Sequence, residues 1–257
     1  MTMVCPRTIL ITGATGAIGG ALAKAYAAAG VRLILHGRNA DKLQNIRHVC
    51  EGMGARVDCC TLDVRSIELL RTWVREVDRT TPIDLLIANA GMNTGIGASR
   101  KGETWEAAEA LLDTNVRATV GLVHAVLPGM RARRSGQIAL ISSLAGYFGL
   151  PVTPTYCASK AAVKAYGEAL RGWLAGDGIS VNVVMPGYVD SPMCRAMLGP
   201  KPFLLTPEQA ATLIRKGLEK NQARISFPFP LNVGAWALAA LPAPISHRIV
   251  RWVGYGS

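Results

Sequence analysis

The feature that most constrains this chain is a repeated switch of hydrophobic period. Short, mostly apolar runs alternate with longer segments whose apolar residues recur at helical spacing. Thr8–Thr12, Arg32–His36, Arg56–Leu62, Asp84–Ala88, Ile138–Ser142 and Ser180–Met185 read as strands. Ala17–Ala29, Lys42–Cys50, Ile67–Arg79, Thr104–Arg134 and Thr155–Ala175 read as the helices that follow the first five. Strands apolar on both faces need cover on both sides. Strand–helix–strand units close right-handed and lay their strands parallel. The expected fold is therefore α/β: a doubly wound parallel sheet in three layers, α/β/α. No repeat or linker divides the chain, so residues 1–257 are expected to form one domain. After Met185 the rhythm loosens. Residues 190–206 read as a substrate loop or lid, Pro207–Asn221 as a helix and Arg224–Phe227 as a last strand. Residues 222–257 form a basic, apolar tail, proline-broken over Val233–Val253.

Composition removes several function classes. Half of the residues are hydrophobic, which excludes disorder as the main state. The 27 Gly and 14 Pro are near ordinary usage, which excludes a collagen-like chain. The 28 Lys+Arg against 17 Asp+Glu give a net charge of +11. Such a balance suits nucleic acid, a membrane surface or an anionic small molecule. No nucleic-acid motif accompanies the charge, so no nucleic-acid partner is expected. Cys5, Cys50, Cys59, Cys60, Cys157 and Cys194 form no C-x-x-C and are expected to be reduced thiols. His36, His48, His124 and His247 share no metal-like spacing with them, so no metal is expected. The first strand begins at Thr8, leaving no room for a signal peptide, and no apolar run reaches the ~20 residues of a membrane span. A cytoplasmic location is the expectation.

Two patterns carry chemistry. The first is the turn Thr12-Gly13-Ala14-Thr15-Gly16-Ala17-Ile18-Gly19-Gly20, between the first strand and the first helix. Glycines there let a pyrophosphate approach the backbone at a helix N-terminus. The second strand ends His36-Gly37-Arg38-Asn39, with no carboxylate to bind a ribose 2′-hydroxyl. Arg38 can instead pair with a 2′-phosphate, which favours NADP (NADPH) over NAD. The second pattern is Tyr156 and Lys160, at i and i+4 on one helix face. A phenol is a poor base near neutrality, and a nearby ammonium favours the phenolate. Such a phenol can exchange a proton with a substrate oxygen.

Together these segments resemble the short-chain dehydrogenase/reductase family, in its shorter single-domain branch with a Rossmann-type sheet. The likeness covers about residues 8–193. It rests on TGATGAIG at 12–19, the Asp63 turn, Asn89-Ala90-Gly91, Asn115, Ser142-Ser143, Tyr156 with Lys160, and Pro186-Gly187. The resemblance implies that Tyr156 is the general acid for carbonyl reduction and the base for alcohol oxidation. It implies that Lys160 lowers the Tyr156 pKa and binds the nicotinamide ribose. It gives the substrate oxygen to Ser143, thirteen residues before Tyr156, and a relay water to Asn115. Gly13, Thr15, Gly16, Ala17, Ile18 and Gly19 would hold the pyrophosphate. Asp63 and Val64 would meet adenine, and Asn89, Ala90 and Gly91 would line the cleft. Pro186, Gly187, Val189 and Ser191 would meet the nicotinamide carboxamide region. A small carbonyl or alcohol substrate and a homodimer or homotetramer built on the helices Thr104–Arg134 and Thr155–Ala175 are also implied.

Two departures matter. Ala17 holds a position where this branch carries glycine, and Gly13, Gly16 and Gly19 also fit the spacing of the family's longer sugar-nucleotide branch. A sugar or sugar-nucleotide modifying enzyme is thus the alternative, and a non-catalytic coenzyme-binding protein a further one. The substrate loop leaves open both a hydrophobic ketone, through Met193, Met197, Leu198, Phe203 and Leu204, and an acidic or sugar-like group, through Arg195 and Lys201. The tail has no acidic residue over 220–257 and carries Trp236, Trp252 and Tyr255. Packing on its own domain, a subunit interface and peripheral contact with a membrane all fit it.

Overall fold

A computed structural model describes residues 6–97, 99 and 101–255; Cys5 lies outside them. The strands are β1 (Thr8–Thr12), β2 (Arg32–Gly37), β3 (Arg56–Thr61), β4 (Leu85–Ala88), β5 (Gly136–Ile141), β6 (Ile179–Pro186) and β7 (Arg224–Phe227). They form one sheet in the order β3-β2-β1-β4-β5-β6-β7, parallel throughout. The first six match the sequence runs, and the seventh is the strand expected at Arg224–Phe227. The architecture is the doubly wound, Rossmann-like sheet flanked by helices.

The burial pattern explains the layers. Successive strand residues point to opposite faces. Ile9 and Ile11 of β1, with Leu33 and Leu35 of β2, pack on one face beneath α1 (Ala17–Tyr26), α2 (Ala40–Gly52) and α8 (Pro207–Glu219). Leu10, Ile34 and Leu86 pack on the other, beneath α3 (Ile67–Thr80), α5 (Ala118–Ala132) and α6 (Pro154–Leu174). Each such fully buried aliphatic side chain contributes about 1.5–3 kcal/mol against exposure. Because β1 is flanked by β2 and β4, the winding reverses beside it. A crevice must therefore open at the C-terminal ends of these strands.

Three segments differ from the sequence reading. The single helix expected over Thr104–Arg134 is α4 (Trp105–Leu112), one π turn (Asp113–Arg117) and α5. The π turn inserts one extra residue and turns Asn115 inward, where it is buried. The expected loop at Asp190–Leu205 contains a short helix, α7 (Pro192–Ala196), and is closed at its base. There Val189 bridges Leu205, and Asp190 N–H donates to the Leu205 carbonyl at 2.9 Å. The proline-broken tail is ordered into α9 (Leu231–Ala240), α10 (Ala243–Val250) and a terminal turn, Arg251–Tyr255. Pro242 and Pro244 stop α9 and start α10, the place where proline's missing N–H is harmless. Among the described residues no helix is long and apolar enough to cross a membrane.

Candidate functional site

The crevice is one cavity of about 1010 Å³. Its floor begins at the β1–α1 turn. Gly13 has φ +67°, and a Cβ there would sit 2.8 Å from the Ala90 Cα. A Cβ on Gly19 would meet the Gly13 carbonyl oxygen at 2.3 Å. Both positions therefore require glycine. Gly16 caps α1 without a side-chain hydrogen bond, so the helix presents free N–H groups to the cavity. The Thr12 hydroxyl accepts from the Asn89 and Ala90 N–H groups, both at 3.1 Å. Asn89 Nδ2 donates back to the Thr12 and Gly13 carbonyls at 2.9 and 3.1 Å. These bonds lock the ends of β1 and β4 together.

The end of β2 forms the far wall. Arg38 lines the cavity at its exposed rim. Asp63 lines it too, but its carboxylate pairs with Arg65 at 2.6 Å, and that hydrogen bond holds its pKa below the usual carboxylate range. Between them lies His36, which sequence reasoning did not single out. Its Nε2 donates to the Leu62 carbonyl at 2.8 Å, which leaves Nδ1 as a buried acceptor with no partner. Burial lowers the His36 pKa and keeps the ring neutral near pH 7.

The reactive wall comes from β5, β6 and α6. Tyr156 and Lys160 share the face of α6 turned to the cavity, and Lys160 Nζ lies 5.6 Å from the Tyr156 ring centre. Lys160 Nζ donates to the Ile141 carbonyl at 2.9 Å. Burial lowers its pKa to about 8 and pushes the Tyr156 phenol up to about 12; a hydrogen bond from the Ser143 side opposes the latter. Ser142, by contrast, donates its hydroxyl to the Lys160 carbonyl at 2.7 Å and holds α6 against the sheet.

All the expected site residues but one line this cavity: Gly13, Thr15, Gly16, Ala17, Ile18, Gly19, Arg38, Asp63, Val64, Asn89, Ala90, Gly91, Ser143, Tyr156, Lys160, Pro186, Gly187, Val189 and Ser191. Asn115 stands behind it. Its Oδ1 accepts from the Met92 N–H at 2.8 Å, and its Nδ2 donates to the Met92 carbonyl and Ser159 Oγ, both at 3.0 Å. The π turn thus uses Asn115 as a clamp between the Asn89–Met92 segment and α6. Ser191 also has a local task, since its hydroxyl accepts from the Cys194 N–H and caps α7. Among the described residues no three His, Cys, Asp or Glu side chains gather as a metal site would need.

In the other half of the cavity, the expected substrate-loop wall is present through Met193, Met197 and Phe203, while the contribution of the tail was missed by sequence reasoning. This half lies between α7, the turn after β5 and the tail, and α9 and the terminal turn roof it. The Tyr255 hydroxyl bonds both the Tyr188 hydroxyl and the Pro200 carbonyl, which ties the tail to the substrate loop. Ser246 Oγ donates to the Leu238 carbonyl at 2.8 Å and fixes α10 against α9.

With this geometry in view, comparison with known proteins identifies the class. The family model for short chain dehydrogenases matches residues 7–199. The chain therefore belongs to the short-chain dehydrogenase/reductase family, and it is an oxidoreductase of that family. A Myxococcus xanthus protein described only as an uncharacterized oxidoreductase is 36% identical over 246 residues, covering 95% of this chain and 96% of that one. Ketoacyl reductase HetN of Nostoc sp. is 29% identical over 264 residues, covering 99% and 91%. Among solved structures, a short-chain dehydrogenase from Sphingobium yanoikuyae in complex with NADPH superposes with TM-score 0.80 at 26% identity, covering 94% of each chain.

Proposed function

We propose that this protein is an NADP(H)-dependent oxidoreductase that interconverts a carbonyl and an alcohol, with Tyr156 as general acid and base. The observation that carries this is the meeting of Tyr156, Lys160 and Ser143 in one cavity with a glycine cradle. The cradle suits a dinucleotide. Gly13 and Gly19 leave no room for a Cβ, and α1 offers unpaired N–H groups. The nicotinamide coenzyme, when bound, supplies or accepts the hydride. Arg38 would hold the 2′-phosphate, because no carboxylate follows β2 to claim a 2′-hydroxyl. The NADPH in the Sphingobium relative supports that choice.

The chain's own residues manage the proton. Ser143 orients the phenol and can donate to the same substrate oxygen, stabilising the charge that develops there. Tyr156 is protonated near neutrality, ready to act as an acid in reduction. For oxidation the Lys160 charge favours the phenolate. Asn115 keeps α6 and the Asn89–Met92 segment at fixed spacing and so positions both groups. The same proposal places the exposed face of the tail on anionic membrane surfaces. Trp236 and Trp252 are 55% and 86% exposed there, in a stretch that also carries Arg248 and Arg251.

The test is turnover of a ketone panel with NADPH and NADH, by wild type and Tyr156→Phe. The expected result is a preference for NADPH and a loss of at least about a hundredfold in kcat for the variant, with NADPH binding retained. A variant near wild-type activity would overturn the mechanism.

A further inference from the structure

The cavity divides by charge. Arg38, Asp63 and Lys160 are the charged side chains that line it, and all belong to the coenzyme half or to the reactive wall. Beyond Tyr156 and Lys160, the lining drawn from the turn after β5, the substrate loop and the tail carries no charged side chain among the described residues. The two cations that could have drawn an acidic or sugar-like group are engaged elsewhere. Arg195 forms a two-pronged pair with Asp190, at 2.8 and 3.0 Å. Lys201 Nζ donates to the Met197 and Gly199 carbonyls at 2.8 and 3.2 Å.

The roof is aliphatic in a patterned way. Leu231, Gly234, Ala235 and Leu238 fall on one face of α9, and all four line the cavity. The small members of that face hold space open. A Cβ built on Gly234 meets nothing within 4 Å, although its backbone is in an ordinary helical conformation. Helix propensity favours almost any residue over glycine there. Gly234 is itself exposed, so the space a side chain there would fill lies at the mouth of the cavity, and the glycine does not serve the helix. Tyr188 and Tyr255, the phenols of this half, bond each other, and Tyr255 also bonds Pro200, so few polar groups are left to greet a polar ligand.

We infer that this chamber holds a hydrocarbon arm of the substrate, so that the enzyme acts on ketones or secondary alcohols bearing a long apolar chain. The inference rests on the proposed reaction and names its substrate class. An apolar chain gains about 0.8 kcal/mol for each methylene it buries, whereas a charged or polyhydroxyl group would lose its water without a partner. Gly234 leaves the mouth of the chamber open to that arm.

The experiment compares 2-butanone with 2-decanone. Wild type should show kcat/KM at least about tenfold higher for 2-decanone, or about 1.4 kcal/mol of discrimination. Gly234→Leu fills the space and should lower the ratio of the two kcat/KM values by about tenfold or more. Ala237→Leu, which also faces the cavity, serves as the second variant, and thermal melts of both report folding. A wild-type ratio near one, or a ratio untouched in both folded variants, overturns the inference. Calorimetry separates this from failure of the reaction itself, using 2-decanol as the ligand of wild type and Gly234→Leu. If no ketone is turned over but 2-decanol binds and the variant weakens it, the chamber stands and the reaction falls. Equal binding by both proteins overturns the chamber.

Discussion

Lys160 is a cation held where burial discourages charge. Its pKa, lowered from 10.5 to about 8, means that it is an ammonium below that pH and neutral above it. Tyr156 stays protonated across the same window, because its phenol sits near 12. A fall in coenzyme capture as pH rises through about 8 would thus report Lys160 and not Tyr156. We expect kcat/KM for NADPH to be level below that pH and to decline above it. In Lys160→Met it should be low and lack that limb; a wild-type profile flat to about pH 10 would contradict this assignment. These two residues were legible in sequence, because a spacing of four fixes a shared helix face whatever the rest does. Arg38 was legible for a similar reason, since chain position alone puts it just past a strand. His36 was not. Its orphan nitrogen exists only because Leu62 and Trp73, distant in sequence, close around the ring.

At the scale of elements, the parallel strands were plain from sequence because burial on both faces makes each an unbroken apolar run. The π turn was hidden, since one added residue changes the register of a helix without changing its composition. The tail was hidden for another reason. α9 is apolar on its inner and outer faces alike, so its pattern does not say which side meets the body of the protein. A buried staple was equally invisible. Asp78 at the end of α3 accepts from the Ile83 N–H at 2.8 Å and from Arg133 of the α5 terminus at 3.0 and 3.2 Å. Arg133 also donates to the Ile83 carbonyl at 2.6 Å, joining two helices to the entry of β4. Gly129 is needed beside it, because a Cβ there would collide with the Asp78 carboxylate. Asp78→Ala strands a half-buried guanidinium and a buried N–H together. The expected cost is about 3 kcal/mol, read as a drop of roughly 6–12 °C in the thermal midpoint. A melt within about 2 °C of wild type would show that the staple contributes little.

For the molecule as a whole, the charge of +11 is unevenly answered. Arg131 has Asp177 and Arg215 has Glu219, as do many others along the α/β body. Arg248 and Arg251 sit in a stretch, 220–257, that contains no acidic residue. The same stretch carries Phe229, Val233 and Ile245, all exposed. Full-length protein should co-sediment with anionic vesicles more than with neutral ones, and less so as salt rises. Replacing Trp236 and Trp252 together by Ser should reduce the bound fraction. Equal sedimentation with both vesicle types, or with none, would remove the membrane from the account.

The roof over this cavity is separable from the cleft in chain order. α9, α10 and the terminal turn follow every strand of the sheet. A chain cut short after β7 would therefore keep the glycine cradle and the reactive wall and lose the roof beside them. On the proposed function, such a chain should lose its choice of substrate before it loses its hold on the coenzyme.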